Sequence, residues 1–398
     1  MLKGKRIVLG VSGSIAAYKA ADLASKLTQA GALVDVVMTE AATRFVTPLT
    51  FTSLTHRPVA RDLFGADSEL SVEHVALAQQ ADVVVVAPAT ANTLAKFAQG
   101  LADDMLTCTV LATAAPVIVA PAMDGHMFDN PATVHNLAVL KERGFTVVDP
   151  GVGYLASGLT GVGRLADASE IIGAVKLVLG RDGDLAGRRI VVTAGGTQEP
   201  IDPVRVITNR SSGKMGFAIA EAARDRGADV TLIAAPTPLD DPVGVQMVRV
   251  ATAREMRDAV EAALPGASAL VMAAAVADYE AASPGASKIK KKNRRLSIDL
   301  LPTPDILAEM KGDFIRVGFA AESDNLVPNA RAKLERKSLD LIVANDIMAD
   351  DAGSSSDNNR VVMLDRAGGE EALPLMSKYE VGNRILDRVA ALLASRAG

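Results

Sequence analysis

The stretches RIVLGVSGS (residues 6–14) and RIVVTAGGT (residues 189–197) open two halves of this chain in the same way. Each places a short β-branched run before a turn of glycine and small hydroxyl residues, and a helical pattern follows the turn. Nearly continuous apolar strands between helices are typical of a parallel sheet that helices cover on both faces. The repeated opening therefore predicts two separate α/β domains.

The N-terminal half reads as alternating strands and helices. A helix is predicted over residues 15–30, because Ala17, Ala20, Ala21, Ala24 and Leu27 fall on one face at helical spacing. Gly31 ends this helix. Strands are predicted at residues 6–11, 33–38, 82–87, 116–120 and 145–148.

The pattern stops at the polar, glycine-rich stretch GRDGDLAG (residues 180–187), which is predicted to be a linker. This gives domains at residues 1–180 and 187–398. In the second domain a helix is predicted over residues 213–226, and a hairpin is predicted around Gly368. The predicted strands cover residues 189–193, 229–234, 269–274, 316–319, 339–344, 360–365 and 371–375.

Composition excludes several classes of protein. The net charge of −5 and pI near 5.6 argue against a general nucleic-acid binder, although KIKKKNRR (residues 288–295) holds six basic side chains. The single cysteine, Cys108, excludes a disulfide framework and a cysteine-based zinc site. We found no metal-ligand spacing among the four histidines, no signal-peptide core and no run of about 20 apolar residues, so we expect a cytoplasmic protein without membrane partners.

Three strand ends of the first half carry hydroxyl and amide groups: GVSGS (residues 10–14), MTEA (38–41) and APATANT (87–93). Ligands of doubly wound sheets sit outside the carboxyl ends of the strands, where helix N-termini attract phosphate. The three loops together therefore predict one phosphate-bearing ligand, although ordinary turn chemistry is the better explanation of any single loop.

The motifs GVSGSIAAYK, MTEAATRFV, APATANTLAK, PAMDGHMFDNPAT and GYLASGLTGVGRL together resemble the flavin-dependent cysteine decarboxylases, in particular phosphopantothenoylcysteine decarboxylase. The resemblance covers about residues 3–175 and implies a flavodoxin-like, FMN-binding domain. It implies that His74, in SVEHVALA, is catalytic. The residues it assigns to FMN are Gly10, Ser12, Gly13, Ser14, Thr39, Thr90 and Asn92.

Two catalytic positions depart from the family's pattern. Asp124 stands where the family has asparagine, and Ser157 stands where the flap of the family has the cysteine that protonates the enethiolate product. Cys108 lies in a helical stretch elsewhere. We expect decarboxylation to persist, with Ser157 positioning a water or clamping the substrate while solvent supplies the proton.

The second half carries a denser set of anion-binding groups. AGGTQEPIDPVR (residues 194–205) and TNRSSGKMG (208–216) bring hydroxyls, amides and glycines to a helix N-terminus, beside two arginines and a lysine. The alternative is a long surface loop. AAAVAD (273–278), PDIL (304–307), GFAAE (318–322) and AND (344–346) follow downstream.

These segments resemble the phosphopantothenate–cysteine ligases of bacterial coenzyme A synthesis over about residues 188–390. The order of the two halves is that of the bacterial bifunctional enzymes. The resemblance implies that 4′-phosphopantothenate is joined to L-cysteine through an acyl-cytidylate, with CTP and Mg²⁺. FMN-dependent decarboxylation to 4′-phosphopantetheine then follows.

The resemblance assigns Asn209 to the acyl-cytidylate and Arg205 to the ligase active site. Lys288, the first lysine of KIKK, is assigned to catalysis and to the nucleotide, and residues 290–295 are expected to form a solvated loop. Lys333 and Lys337 are four apart and share a helix face, which in isolation reads as a solvated face. The nucleotide residues are Ala274, Ala275, Asp278, Lys288, Pro304, Asp305, Ile306, Leu307, Phe319, Lys333 and Lys337.

The family's decarboxylases form trimers with FMN at subunit interfaces and its ligases form dimers, which implies a homo-oligomer of twelve chains. Two other functions remain open at this point. The doubly wound pattern alone suggests an NAD-dependent oxidoreductase, although the GxGxxG turn is missing. Asp124 and Ser157 also leave open a degenerate or regulatory flavoprotein half attached to an active ligase.

Overall fold

The computed structural model describes residues 1–63, 73–290, 296–322, 325–346 and 356–397. The chain divides into two compact units, Met1–Leu179 and Gly180–Gly398. Both units have a largely parallel sheet with helices on its faces, which confirms the predicted fold class. Within the described residues, no helix has the length and apolar character needed to cross a bilayer.

The first unit is built on a six-stranded parallel sheet with the order β3-β2-β1-β4-β5-β6. Without the two-residue edge strand β3, the order counted along the chain is 2-1-3-4-5, which is the flavodoxin-like arrangement. β7 and β8 form a separate antiparallel hairpin. The strands are β1 (Arg6–Val11), β2 (Leu33–Met38), β3 (Val59–Ala60), β4 (Val83–Ala89), β5 (Val117–Pro121), β6 (Thr146–Val147), β7 (Gly151–Tyr154) and β8 (Thr160–Arg164).

The helices of the first unit follow the strands in alternation. Helix α1 buries Ala17, Ala20, Ala24 and Leu27 as predicted, and Leu23 completes the stripe. The helices are α1 (Ala17–Gln29), α2 (Glu40–Thr43), α3 (Pro48–Thr55), α4 (Glu73–Gln80), α5 (Ala91–Gln99), α6 (Met105–Ala112), α7 (Gly125–Phe128), α8 (Pro131–Glu142) and α9 (Ala168–Gly180).

The second unit has an eight-stranded sheet with the order β13-β12-β9-β14-β17-β18-β20-β21. Its first six strands are parallel and run 3-2-1-4-5-6 in chain order, which is the Rossmann arrangement. The strands are β9 (Arg189–Ala194), β10 (Gln198–Pro200), β11 (Val206–Thr208), β12 (Asp229–Ala234), β13 (Gln246–Arg249), β14 (Ala269–Met272), β15 (Tyr279–Ala281), β16 (Leu300–Pro302), β17 (Ile315–Glu322), β18 (Leu341–Asp346), β19 (Asn358–Asn359), β20 (Val361–Asp365), β21 (Glu370–Ala372) and β22 (Met376–Ser377).

Alternate residues of the central strand β9 enter two apolar cores. Ile190 and Val192 pack on one face of the sheet, and Val191 packs on the other. The first face is covered by α10 (Lys214–Arg224) and the second by α11 (Ala253–Ala263). The remaining helices are α12 (Ile306–Glu309), α13 (Leu326–Arg336) and α14 (Lys378–Ala397).

The predicted hairpin near the end of the chain is confirmed, because β20 pairs with β21 in antiparallel register. The segment predicted as a linker, residues 180–187, joins α9 to β9 at the division between the two units, and it packs on the second unit. Leu185 is buried in the core of the second unit, and its backbone N–H donates to the carbonyl of Arg226. The side chain of Arg226 also pairs with Asp184. One apolar residue among polar neighbours is thus enough to pack this segment, which a composition argument overlooks.

Candidate functional site

A cavity of about 460 Å³ lies at the carboxyl edge of the first sheet. Its floor is made by the turns that follow β1, β4 and β5, which contribute Ser14, Thr90 and Met123. The β7–β8 hairpin contributes Leu155 and Arg164 from above the floor. The cavity therefore occupies the place where doubly wound sheets bind their ligands.

Ser12 holds two of these turns together. Its hydroxyl donates to the carbonyl of Pro88 at 2.7 Å and accepts the N–H of Thr90 at 3.0 Å. Gly13 brings the first turn against α2, since a Cβ there would lie 2.5 Å from the Cβ of Ala41. A bulkier residue at position 13 would clash with Ala41, and an apolar residue at position 12 could not form the two hydrogen bonds of Ser12.

The residues predicted for FMN do not all reach the cavity. Gly13, Ser14 and Thr90 line it, whereas Gly10 and Ser12 lie buried beneath it. Thr39 caps α2 by accepting the N–H of Ala42, and Asn92 is exposed. Residues that line the cavity without having been predicted include Ile15, Ala16, Tyr18, Lys19, Ala91, Met123, Met127, Tyr154, Leu155 and Arg164.

Asp124 and Ser157, the two departures from the family pattern, are hydrogen-bonded to each other in the wall of the cavity. The Ser157 hydroxyl donates to Oδ2 of Asp124 at 2.5 Å, and the N–H of His126 donates to Oδ1 at 3.0 Å. The Ser157 bond, followed by the His126 bond, holds the pKa of Asp124 below its ordinary value. Asp124 is therefore ionised and caps α7 through Oδ1. Its Oδ2 accepts the hydrogen bond from Ser157 in the flap, which is the β7–β8 hairpin with its connecting turn.

The flap itself is anchored next to Asp124. The N–H of Met123 donates to the carbonyl of Gly163 at 3.0 Å. Gly163 has a φ of +138°, and a Cβ there would lie 2.1 Å from the carbonyl oxygen of Met123. Only glycine allows β8 to approach the turn after β5 this closely. The hairpin thereby delivers Ser157 to Asp124.

His74 lies on α4, is partly buried, and does not line the cavity of its own chain. Residues 71 and 72 of its SVEHVALA motif lie outside the described part of the chain. Cys108 lies on α6, where its thiol donates to the carbonyl of Ala102 at 3.5 Å. Burial, and then the charge of Asp104, raise the pKa of this thiol. Cys108 therefore does not replace the missing flap cysteine.

A second cavity, of about 610 Å³, lies at the carboxyl edge of the second sheet. It gathers the ends of β14, β17 and β18 together with the start of α10. Asn209 and Asp278 line it, as do most of the residues predicted for the nucleotide. Those residues are Ala274, Ala275, Pro304, Asp305, Ile306, Leu307, Phe319, Lys333 and Lys337.

Threonine hydroxyls fix the backbone of one wall of this cavity. Thr193 accepts the N–H of Ala274 at 3.1 Å, and Thr197 accepts the N–H of Ala277 at 2.9 Å. Asn209 donates from Nδ2 to the carbonyl of Val276 at 3.0 Å. The segment after β14 is thus presented to the cavity in one conformation, with Asn209 bound to it.

The two predicted lysines of α13 face the same cavity. Lys333 donates to the carbonyl of Phe319 at 2.9 Å, and Lys337 pairs with Asp305 at 2.9 Å. Asp305 also caps α12 by accepting the N–H of Ala308. The helical spacing of the two lysines places both in the wall of one cavity and not on a wholly solvated helix face.

Arg205 and Lys288 do not line the cavity. A buried carboxylate, Asp202, joins their segments: it accepts the N–H of Arg205, a guanidinium N–H of the same residue, and the N–H of Ile289. The Ile289 bond is the main reason that the pKa of Asp202 is lowered. Lys288 and Lys290 are exposed, and residues 291–295 of the predicted solvated loop lie outside the described residues.

The residues that line the second cavity without a predicted role include Asn345, Asn359 and Lys378. Asn345 belongs to a motif that the sequence had singled out, but Asn359 and Lys378 lie in segments without a recognisable pattern. Among the described residues, no group of three His, Cys, Asp or Glu side chains is arranged to hold a metal ion.

Comparison with known proteins accounts for nearly the whole chain. The family described as Flavoprotein matches residues 1–180, and the family described as DNA/pantothenate metabolism flavoprotein C-terminal domain matches residues 185–393. A Bacillus subtilis protein named coenzyme A biosynthesis bifunctional protein CoaBC is 45% identical, over 98% of each chain. Its namesake from Mycolicibacterium smegmatis is 47% identical, over 99% of each chain. A crystal structure of the C-terminal domain of a CoaBC protein covers 54% of this chain and 99% of its own, with 39% identity and a TM-score of 0.47.

Proposed function

Because the chain belongs to the family of bifunctional coenzyme A biosynthesis proteins, we propose that its second cavity joins 4′-phosphopantothenate to L-cysteine with CTP and that its first cavity decarboxylates the product. The family carries an FMN-dependent decarboxylase in the first half and a ligase in the second. The main support for the substrates is that Asn209, Asp278 and Lys333, far apart in sequence, line one cavity. The strand pattern alone had also suggested an NAD-dependent oxidoreductase, but neither family that matches this chain is of that class.

The first cavity fits FMN. Ile15, Met123 and Leu155 offer an apolar wall for a flat ring system, and the turns at Ser14 and Thr90 offer hydroxyls and backbone N–H groups for a phosphate. Bound FMN would accept electrons from the cysteine moiety and return them after CO₂ has left. The protein's part is to orient the substrate beneath the flap and to hold Asp124 ionised at the cavity wall.

A second copy of the chain is part of this proposal. His74 does not line the cavity of its own chain, so a catalytic role requires a neighbouring subunit to bring its α4 to the flap. Ile15, Tyr18 and Tyr154 at the cavity are 59%, 63% and 75% exposed, which suits burial in a subunit contact. The resemblance to trimeric decarboxylases and dimeric ligases makes a dodecamer the expected assembly, which light scattering would measure.

In the ligase, the carboxylate of 4′-phosphopantothenate attacks the α-phosphate of CTP and pyrophosphate leaves. The amine of cysteine then displaces CMP. Both reactants are anions, so the protein must position them and neutralise their charge. Lys333 and Lys337 supply positive charge at the cavity. In such sites Mg²⁺ is held largely by phosphates and water, with one or two protein carboxylates. Asp278 and Asp305 are the carboxylates in the described wall of the cavity, and they belong to no group of three metal-binding side chains among the described residues.

The test is to purify the full chain, record its flavin spectrum, and incubate it with 4′-phosphopantothenate, Mg²⁺, cysteine and either CTP or ATP. We expect a yellow protein that releases CMP and CO₂, with CTP preferred. Asn209→Ala should abolish CMP release and leave decarboxylation of added phosphopantothenoylcysteine intact. A colourless protein that cannot be reconstituted with FMN contradicts the first half of the proposal, and release of CO₂ without CMP contradicts the second.

A further inference from the structure

The β10–β11 hairpin carries a buried carboxylate at its tip. Asp202 lies in the turn between the two strands, and only 2% of the residue is exposed. One of its oxygens, Oδ1, accepts the backbone N–H groups of Val204 and Arg205, both at 2.8 Å. These two bonds are local, because aspartate commonly bonds the backbone of its own turn in this way.

The other oxygen of Asp202 reaches a segment that is 87 residues away in sequence. Oδ2 accepts the N–H of Ile289 at 3.0 Å and a guanidinium N–H of Arg205 at 2.8 Å. The same guanidinium nitrogen donates to the carbonyl of Ile289 at 3.1 Å. Asp202 and Arg205 therefore hold the N–H and the carbonyl of Ile289 at the same time.

These bonds fix the backbone beside Lys288. The N–H of Ile289 belongs to the planar peptide bond that joins it to Lys288, so Asp202 sets the orientation of that bond. Earlier in the segment, the N–H of Gly285 donates to the carbonyl of Ile201 at 2.9 Å. The segment is thus fastened to the tip of the hairpin both before and after Lys288, whose side chain is exposed.

The hairpin that carries this anchor is itself fixed beside the ligase cavity. Glu199 of β10 is buried and accepts the N–H of Ala253, the first residue of α11, at 2.9 Å. Strand β11 ends at Thr208, and the next residue, Asn209, lines the cavity. The backbone at Lys288 is therefore tied, through a short hairpin, to a residue that the ligase reaction is predicted to use.

We propose that Asp202, acting with Arg205, is a positioning residue of the ligase, which holds the backbone so that Lys288 meets the phosphates of the nucleotide. The proposal rests on the ligase function proposed above and on the nucleotide role predicted for Lys288. A long lysine side chain loses conformational entropy when it is ordered, and a fixed backbone leaves less freedom to be lost on binding. An ionised carboxylate only accepts hydrogen bonds, which suits a residue that receives four N–H groups.

Asparagine at position 202 separates the two sides of this carboxylate. Its single oxygen can keep the turn bonds, whereas the amide nitrogen in place of Oδ2 cannot accept the N–H of Ile289. We expect Asp202→Asn to slow the exchange of pyrophosphate into CTP by about tenfold, as for loss of a charge-assisted contact. Decarboxylation of added phosphopantothenoylcysteine should stay at the wild-type rate. Glu280→Gln, which weakens the ion pair with Arg254 on β15, is the matched control and should leave exchange near wild type.

A double variant distinguishes positioning from a general structural effect. If Asp202 acts through Lys288, then Asp202→Asn combined with Lys288→Gln should exchange pyrophosphate within about twofold of Lys288→Gln alone, because one contact can be lost only once. Losses that multiply would overturn the proposal, and so would an exchange rate near wild type in Asp202→Asn. If Asp202→Asn does not fold, Asp202→Ser must show the same pattern, since its hydroxyl can bond the turn but is too short to reach Ile289.

Two results separate this proposal from the ligase function. An active wild type in which Lys288→Gln leaves pyrophosphate exchange unchanged would overturn the positioning role of Asp202 while the ligase function stands. A wild-type protein that exchanges no pyrophosphate would contradict the ligase function itself and the positioning role with it.

Discussion

Replacing Asp124 by asparagine should strengthen the binding of phosphopantothenoylcysteine to the decarboxylase. Asp124 lines the first cavity, and its pKa is held low by the Ser157 hydroxyl and the His126 N–H. It therefore remains ionised at every pH above its ordinary value of about 3.9. The substrate also carries a carboxylate, so the two like charges repel each other in the bound state. Asparagine keeps one oxygen to accept the His126 N–H, its amide N–H can donate to the Ser157 hydroxyl, and the charge is removed.

The size of the effect follows from the exposure of the site. Ser157 is exposed and Asp124 is partly exposed, so solvent screens their charges. Two unit charges about 4 Å apart in a water-like medium change a binding constant by about fivefold, and by more where water is excluded. We therefore expect Asp124→Asn to lower the KM for phosphopantothenoylcysteine by about fivefold or more, with kcat changing less. The gain should shrink as salt is added.

The assay is steady-state CO₂ release by the FMN-loaded full chain, at low and high ionic strength and from about pH 5 to pH 9. Ser157→Ala is the companion variant: it removes the bond to Asp124 and should cost far less than the roughly 10²–10⁴-fold expected for loss of a general acid. Ser157→Cys should speed turnover or leave it unchanged. A higher KM in Asp124→Asn would refute the reasoning, because it would show that the carboxylate binds a donor on the substrate.

Three further expectations concern the second unit. Lys288→Gln should slow acyl-cytidylate formation at least about tenfold, as for loss of a charge-assisted phosphate contact, whereas Lys290→Gln should not. The measurement is pyrophosphate exchange into CTP. Equal losses in the two variants would indicate that the basic segment acts through its summed charge and that Lys288 makes no specific contact. Tyr379→Phe should lower the free energy of unfolding by about 1.5–3 kcal/mol, because the Tyr379 hydroxyl donates at 2.7 Å to buried Asp225; a change within about 0.5 kcal/mol in urea unfolding would contradict this. The pKa of Asp202 is lowered in the fold, so its anchoring contribution is complete above about pH 4 and is lost as pH falls through the folded pKa. The protection factor of the Ile289 amide, which is its exchange rate relative to the intrinsic rate at the same pH, should therefore fall in acid and stay constant in alkali.

The hydrophobic pattern of the sequence was sufficient to predict the strands and helices that carry long apolar runs. The predicted strands at residues 33–38 and 229–234 coincide with β2 and β12, because a buried parallel strand must be apolar on both faces. The β7–β8 hairpin was not predicted as strands, since its glycines carry no side chains from which a pattern could be read. Four other strands, β10, β11, β15 and β16, were also not predicted. Each is three residues long, which is too short to show an alternation of apolar and polar residues.

The sequence by itself determined the two α/β units, the family motifs, and which turns would carry hydroxyls and lysines, because each of these depends on residues close together in the chain. Only the tertiary structure decided which distant side chains meet. Asp124 and Ser157 are 33 residues apart and share a hydrogen bond, and Asp202 and Ile289 are 87 apart. Lys378 lies far from every ligase motif and still lines their cavity. Such contacts are set by how strands and helices pack against each other, and local spacing does not encode that packing.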